Sequence, residues 1–163
     1  MSLFTNQIIA ITGHRPEGIP DEQWTKGAIK STLADFTPKL VIQGMAAGVD
    51  LWAALAAGQL DIPFRAVRPW SGHRPRVSDE FTYRWCLKNA AENVDASPQE
   101  TYPGPWVYHN RNKLMVDEAD MVLAVWSGKE KGGTYECVRY ALSKEKPIYV
   151  INPVTKEVEG FLP

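Results

Sequence analysis

Residues 7–12 read Gln7-Ile8-Ile9-Ala10-Ile11-Thr12, a short β-branched run without polar alternation, and Gly13-His14-Arg15-Pro16 follows it. A strand apolar on both faces belongs in a parallel sheet covered by helices. Pro20-Asp21-Glu22 then opens a helix that the spacing of Trp24, Ala28, Ile29, Leu33 and Phe36 carries to about Phe36.

The alternation continues along the chain. Residues 39–43 (KLVIQ) read as the second strand, and residues 51–60 as an alanine- and leucine-rich helix ended by Asp61-Ile62-Pro63. Residues 64–67 form a third strand. Ser78, as cap, leads a helix predicted to reach about Val94, and a short fourth strand is expected near Gln99–Tyr102. Pro105 suits the first turn of a helix running to Ala119. Residues 121–126 (MVLAVW) are the fifth strand, 135–144 a helix, and 147–151 (PIYVI) the last strand, while the tail from Pro153 carries no assignment. This order predicts an α/β, Rossmann-like, doubly wound and mostly parallel sheet with helices on both faces, one domain over residues 1–163.

With 163 residues and a net charge of −1, the chain can bury a sizeable core but carries no global basic field for a polyanion. Cys86 and Cys137 stand far apart inside predicted helices, without partners at metal spacing, so they read as small buried side chains. No metal site and no cofactor is expected. No apolar run approaches the roughly 18 residues of a membrane span, and a reducing, cytoplasmic setting fits.

Three glycine-bearing loops follow apolar strands and precede helices, an arrangement that sets backbone N–H groups and helix starts toward an anion at the sheet's carboxyl edge. In the first, Thr12-Gly13-His14-Arg15, the arginine suits a phosphate and Thr12 or His14 a hydroxyl, against the alternative of a plain surface turn. The second, Gly44-Met45-Ala46-Ala47-Gly48-Val49-Asp50, has small residues that let main chain approach a ligand; Asp50 either accepts ribose hydroxyls or only complements a helix start. In the third, Gly132-Gly133-Thr134-Tyr135-Glu136, the glycines can cradle a phosphate, and Glu136 either grips ribose, stabilises charge on a ribose carbon or merely faces the helix dipole.

Two further groups accompany these loops. Arg111 and Met115 share a helix face, so Arg111, with Asn112 beside it, can rise from a packed helix toward the pocket. His109 has no surroundings suited to a metal. Trp70, at the end of the third strand, is either a packing residue or a platform for a base, with Arg74 and Arg76 nearby.

Taken together, Ile11-Thr12-Gly13-His14-Arg15, Gly44-Met45-Ala46-Ala47-Gly48-Val49-Asp50, Pro69-Trp70, the segment Arg111 to Asp117 and Gly132-Gly133-Thr134 resemble the SLOG superfamily, which spans DprA/Smf and LOG proteins, and within it the YpsA-like branch. The resemblance implies a Rossmann-like nucleotide-binding domain that often forms homo-oligomers. LOG members are phosphoribohydrolases that use an arginine and a glutamate, similar in place to Arg111 and Glu136. The loop here departs from theirs: no glycine separates Gly133 from Thr134, and Glu136 lies two residues beyond the threonine rather than three.

Three readings follow. The first is a binding or sensor protein for a nucleotide or ADP-ribose-like ligand. The second is an N-glycoside hydrolase with Arg111 and Glu136 as its catalytic residues. The third is a DprA-like module for single-stranded DNA, disfavoured by the near-neutral charge. The altered glutamate spacing ranks binding first.

Overall fold

The computed structural model describes residues 5–163. The opening strand of the sequence, β1 (Ile8–Gly13), lies at the centre of a seven-stranded sheet. It is followed by α1 (Glu22–Phe36), β2 (Leu40–Gln43), α2 (Val49–Gln59), β3 (Phe64–Arg68), α3 (Glu80–Asn89) and β4 (Glu92–Asp95). The second half comprises α4 (Trp106–Glu118), β5 (Met121–Val125), α5 (Gly133–Ser143), β6 (Ile148–Asn152) and β7 (Glu157–Phe161).

The strand order is β4-β3-β2-β1-β5-β6-β7, parallel throughout except for the antiparallel β6–β7 pair. β1 pairs with β2 on one side and with β5 on the other, so the winding reverses between β1 and β5. That reversal splays the loops after these two strands and opens a crevice at their carboxyl ends.

The doubly wound architecture expected from the sequence is therefore observed, and the strand pattern explains it. Ile9 and Ile11 join Ile29 and Leu33 of α1 and the alanines of α2 in one core layer. Ala10, on the opposite face, joins Met115 and Val116 of α4 and Cys137, Val138 and Ala141 of α5. Each large aliphatic side chain so buried contributes on the order of 1.5–3 kcal/mol. Asp21 caps α1 by accepting the Trp24 N–H at 3.0 Å, as its place before the helix suggests. Both cysteines are buried, which pushes the Cys86 thiol up to about 12 and that of Cys137 up to about 11, so both stay protonated.

Several boundaries differ from the sequence reading. The helix predicted to run from Ser78 to Val94 stops at Asn89, and the fourth strand is Glu92–Asp95 rather than Gln99–Tyr102, which holds no strand. β4 is a charged edge strand, held in register by Arg65 donating to Glu92 at 3.0 Å and by Arg68 clasping Asp95 through two bonds of 2.6 and 3.0 Å. Such cross-strand pairs leave no hydrophobic signature in the sequence and override local helix propensity. Ser78 is not a cap: it lies in a 3-10 turn over Val77–Asp79, and α3 begins after Asp79 without a side-chain cap bond. α2 and α5 start at Val49 and Gly133, two residues before their predicted Leu51 and Tyr135.

The tail left unassigned folds back as β7. Asn152 Oδ1 accepts the N–H groups of Val154 (3.0 Å) and Thr155 (3.1 Å), an Asx turn that reverses the chain after β6. Among the described residues, no helix is long and apolar enough to cross a membrane.

Candidate functional site

At the crevice between β1 and β5 lies a cavity of about 590 Å³, within the range that holds nucleotide-sized ligands. Thr12, Gly13, His14 and Arg15 reach it from the end of β1, and Asp50 from the first turn of α2. Arg111 and Asn112 enter from α4. Gly132, Gly133, Thr134 and Glu136 form the far wall at the start of α5. The N-terminus of α5 thus faces the cavity, with its partial positive charge and its first amide groups, which have no partner within the helix.

Arg111 lies at the junction of these elements. It keeps only 8% of its surface exposed, yet none of its nitrogens lies within 4.0 Å of a carboxylate among the described residues. Its Nη1 donates to the carbonyl oxygen of Gly44 and its Nε to Asn112 Oδ1 at 2.8 Å, while the guanidinium lies 5.9 Å from the Tyr108 ring centroid. Nη2 makes no hydrogen bond among the described residues, and no buried side-chain nitrogen there lacks a partner, so Nη2 retains solvent access.

Asp50 is the nearest buried countercharge. It is 6% exposed, and its Oδ2 accepts the Ala46 N–H at 3.3 Å. Burial raises its pKa, opposed by the Arg111 charge; burial likewise lowers that of Arg111, opposed by Asp50. The guanidinium remains charged.

His14 is tied to the loop after β5. Its Nε2 accepts the Ser127 N–H at 3.1 Å and lies 3.2 Å from Ser127 Oγ. That bond assigns the ring proton to Nδ1 in the neutral form. Burial lowers the His14 pKa, helped by the charge of Lys129.

Not every glycine in the three loops is open to a ligand. A Cβ on Gly13 would lie 2.6 Å from Val49 Cβ, so Gly13 lets α2 abut the end of β1. A Cβ on Gly44 would lie 2.7 Å from Arg111 Nη1. Gly48, at φ +89°, has Pro16 Cδ 2.9 Å from its Cβ direction and joins the first two loops. Only Gly132 and Gly133 of the five face open space.

Gly44, Met45, Gly48 and Trp70 do not line the main cavity. Met45 is buried at φ +62°, its N–H donating to Gln43 Oε1 at 2.7 Å. Trp70 packs against His73, Tyr102 and Tyr108, with ring centroids 4.9, 5.2 and 6.0 Å away. Met45 and Trp70 instead line a smaller cavity of about 190 Å³ next to the main one.

The sequence reading passed over Tyr108 and Lys131, which also line the main cavity. Their signals were present: Tyr108 stands three residues before Arg111 on one helix, and Lys131 immediately precedes the glycine pair. Among the described residues no group of three or more His, Cys, Asp or Glu side chains is placed to hold a metal ion.

A doubly wound sheet with a cavity at its switch point, bordered by residues of these three loops, is the Rossmann-like architecture of the SLOG superfamily. The chain belongs to the DNA recombination-mediator protein A family, whose model matches residues 1–160. It is 23% identical over 155 residues to a UPF0398 protein of Bacillus thuringiensis strain Al Hakam, covering 85% of this chain and 84% of that one.

Solved structures share the fold. DNA processing protein A from Streptococcus pneumoniae superposes with a TM-score of 0.68 at 15% identity, over 90% of this chain and 50% of that one. This chain therefore spans half the length of the pneumococcal protein. DNA processing protein A from Helicobacter pylori, described for its single-stranded DNA binding mode, gives 0.68 at 19% identity, over 95% and 68%. The molybdenum cofactor carrier protein of Chlamydomonas reinhardtii gives 0.59 at 15% identity, over 89% and 76%.

Proposed function

We propose that the main cavity binds a nucleotide or ADP-ribose-like phosphorylated ribose, and that the protein acts as a binding or sensing module. Arg111 carries this reading. A guanidinium that is 8% exposed and has no carboxylate within 4.0 Å among the described residues is costly to bury. An anion in the cavity, within reach of Nη2 and of the α5 N-terminus, would offset that cost. Arg15 and Lys131 add exposed cations at the rim, and Asp50 or Glu136 supplies acceptors for ribose hydroxyls.

The test is a thermal-shift screen of nucleoside mono-, di- and triphosphates and ADP-ribose, with chromatography of each stabilising ligand afterwards. A ligand at 100 times its Kd adds about 2.7 kcal/mol to stability. The expected result is stabilisation with the ligand recovered intact. No shift with any of them would overturn the reading.

Hydrolysis of an N-glycosidic bond is the second reading, because Glu136 and Arg111 border the same cavity. Release of free base, abolished by Glu136→Gln, would establish it over simple binding. Family membership and the H. pylori relative motivate the third, binding of a single DNA strand. Binding to an oligonucleotide that persists at physiological salt would support it.

A further inference from the structure

The cavity of about 190 Å³ that receives Trp70 is an annex of the main cavity: both are bordered by Arg15, Ala46, Tyr108 and Arg111. Whole ligands occupy pockets of about 300–1,000 Å³, so the annex suits one end of a ligand rather than a ligand of its own. Its lining sets apolar and aromatic groups, Met45, Ala47, Leu51 and Trp70, beside the charged Arg74, Arg76 and Asp79, and Trp70 is held in place by edge contacts with His73 and Tyr108.

Cations gather at the opening. Arg15 and Arg111 stand at the waist between the two spaces, and exposed Arg74, which forms no ion pair among the described residues, borders the annex. Arg76 is already engaged by Glu17. Two separate phosphorylated ligands would compete for Arg15 and Arg111, whereas one ligand with its charge in the middle serves both spaces. Dinucleotides cross the switch point of Rossmann sheets in this manner, pyrophosphate at the centre and a ring system on either side.

The geometry points to a two-lobed ligand, a nucleotide joined through its pyrophosphate to a second sugar, with the pyrophosphate at Arg15 and Arg111, the base in the annex beside Trp70 and Ala47, and the second sugar in the main cavity. The inference rests on the phosphorylated-ribose reading of that cavity. It selects pyrophosphate-bridged molecules over simple mononucleotides.

Calorimetric titration with ADP-ribose, AMP and ribose 5-phosphate tests it. ADP-ribose spans both lobes, AMP reaches from annex to waist, and ribose 5-phosphate fits the main cavity alone. ADP-ribose is expected to bind about tenfold or more tightly than either fragment. Ala47→Phe fills the annex from a position outside the main cavity. It is expected to weaken ADP-ribose about tenfold while leaving ribose 5-phosphate within about threefold. Arg74→Ala, an exposed and unpaired position, provides a second variant with the same selectivity and little folding risk.

Equal weakening of both probes by Ala47→Phe and Arg74→Ala, or of neither, overturns the two-lobed ligand. So does ADP-ribose binding no tighter than its fragments, although the cavity reading then stands on the fragments. Absence of binding by all three overturns the cavity reading and this inference together.

Discussion

Where α4 passes the end of β2, the Gly44 carbonyl accepts a hydrogen bond from Nη1 of Arg111, and a Cβ at position 44 would stand 2.7 Å from that nitrogen. The missing side chain of one loop is thus the seat of the cation from another element. The bond spans 67 residues of sequence.

Gly44→Ala tests this seating. Because the guanidinium is enclosed, the added methyl is expected to displace Arg111 at a cost of about 1–3 kcal/mol, as for other overpacked sites. Urea unfolding measures the stability loss, and calorimetry with the best nucleotide should show affinity falling about tenfold or more. Wild-type affinity in a folded variant would mean that Gly44 does not set the guanidinium's position.

Arg111 and Asp50 are expected to be energetically coupled across the cavity floor. Arg111→Met leaves the buried Asp50 carboxylate without its opposing charge, and Asp50→Asn removes that carboxylate. A double-mutant cycle should therefore give about 1–3 kcal/mol of coupling, with Arg111→Met/Asp50→Asn more stable than Arg111→Met alone. Additive losses would show that the two charges do not sense each other.

Gly72→Ala is expected to be among the most damaging single-methyl changes. A Cβ there would overlap the carbonyl oxygen of Glu100, a backbone atom that cannot rotate away. The same two loops are joined by the Ser71 N–H to the Ser97 oxygen at 3.0 Å and by Ser71 Oγ to the Gln99 oxygen at 2.8 Å. A drop of about 3 kcal/mol in urea unfolding is expected; a loss below about 0.5 kcal/mol, the level of an ordinary surface change, would contradict the close approach.

Stability should decline on mild acidification. His73 is held down to about 4, chiefly by burial and then by the charges of Arg111, Arg68 and Arg15, and its Nδ1 lies 2.8 Å from the Tyr83 hydroxyl. His14 is lowered as well, while both rings ordinarily titrate at 6.5. Between 6.5 and about 4 the unfolded chain therefore binds more protons, so the stabilisation is complete above 6.5 and is lost as pH falls toward 4. Asp50 acts in the opposite sense: its raised pKa makes burial of the charge unfavourable at neutral pH, a cost relieved as pH falls through its folded value. His73→Gln is expected to flatten the stability profile in that window by up to one proton, about 1.4 kcal/mol per pH unit. An unchanged slope in chemical denaturation across pH would remove His73 from this account.

Much of the fold was legible because its strands announce themselves. Ile8–Gly13, Leu40–Gln43, Met121–Val125 and Ile148–Asn152 are largely apolar on both faces, Phe64–Arg68 contributes the buried Phe64, Ala66 and Val67, and each stands near where the sequence places it. The two edge strands were not legible. β4 owes its register to the Arg65–Glu92 and Arg68–Asp95 pairs, and β7 to an Asx turn at Asn152. A charged edge strand and a helix segment look alike when read locally.

The candidate site divides in the same way. Thr12 to Arg15 and Gly132, Gly133, Thr134 and Glu136 border the cavity as their positions at strand ends suggest, because a parallel sheet sends every such loop to one edge. The glycines looked alike in sequence, yet Gly13, Gly44 and Gly48 serve close packing while Gly132 and Gly133 face open space. Trp70 went to an annex rather than to the main cavity.

By itself, the sequence determined the strand–helix alternation and which loops converge, since hydrophobic period and turn chemistry are local properties. Only the tertiary structure decided which glycines face open space, that Arg111 lies enclosed at the floor of the cavity with Nη2 still reached by solvent, and that two cavities share one cationic waist. Those outcomes depend on contacts between residues tens of positions apart, which no local pattern encodes.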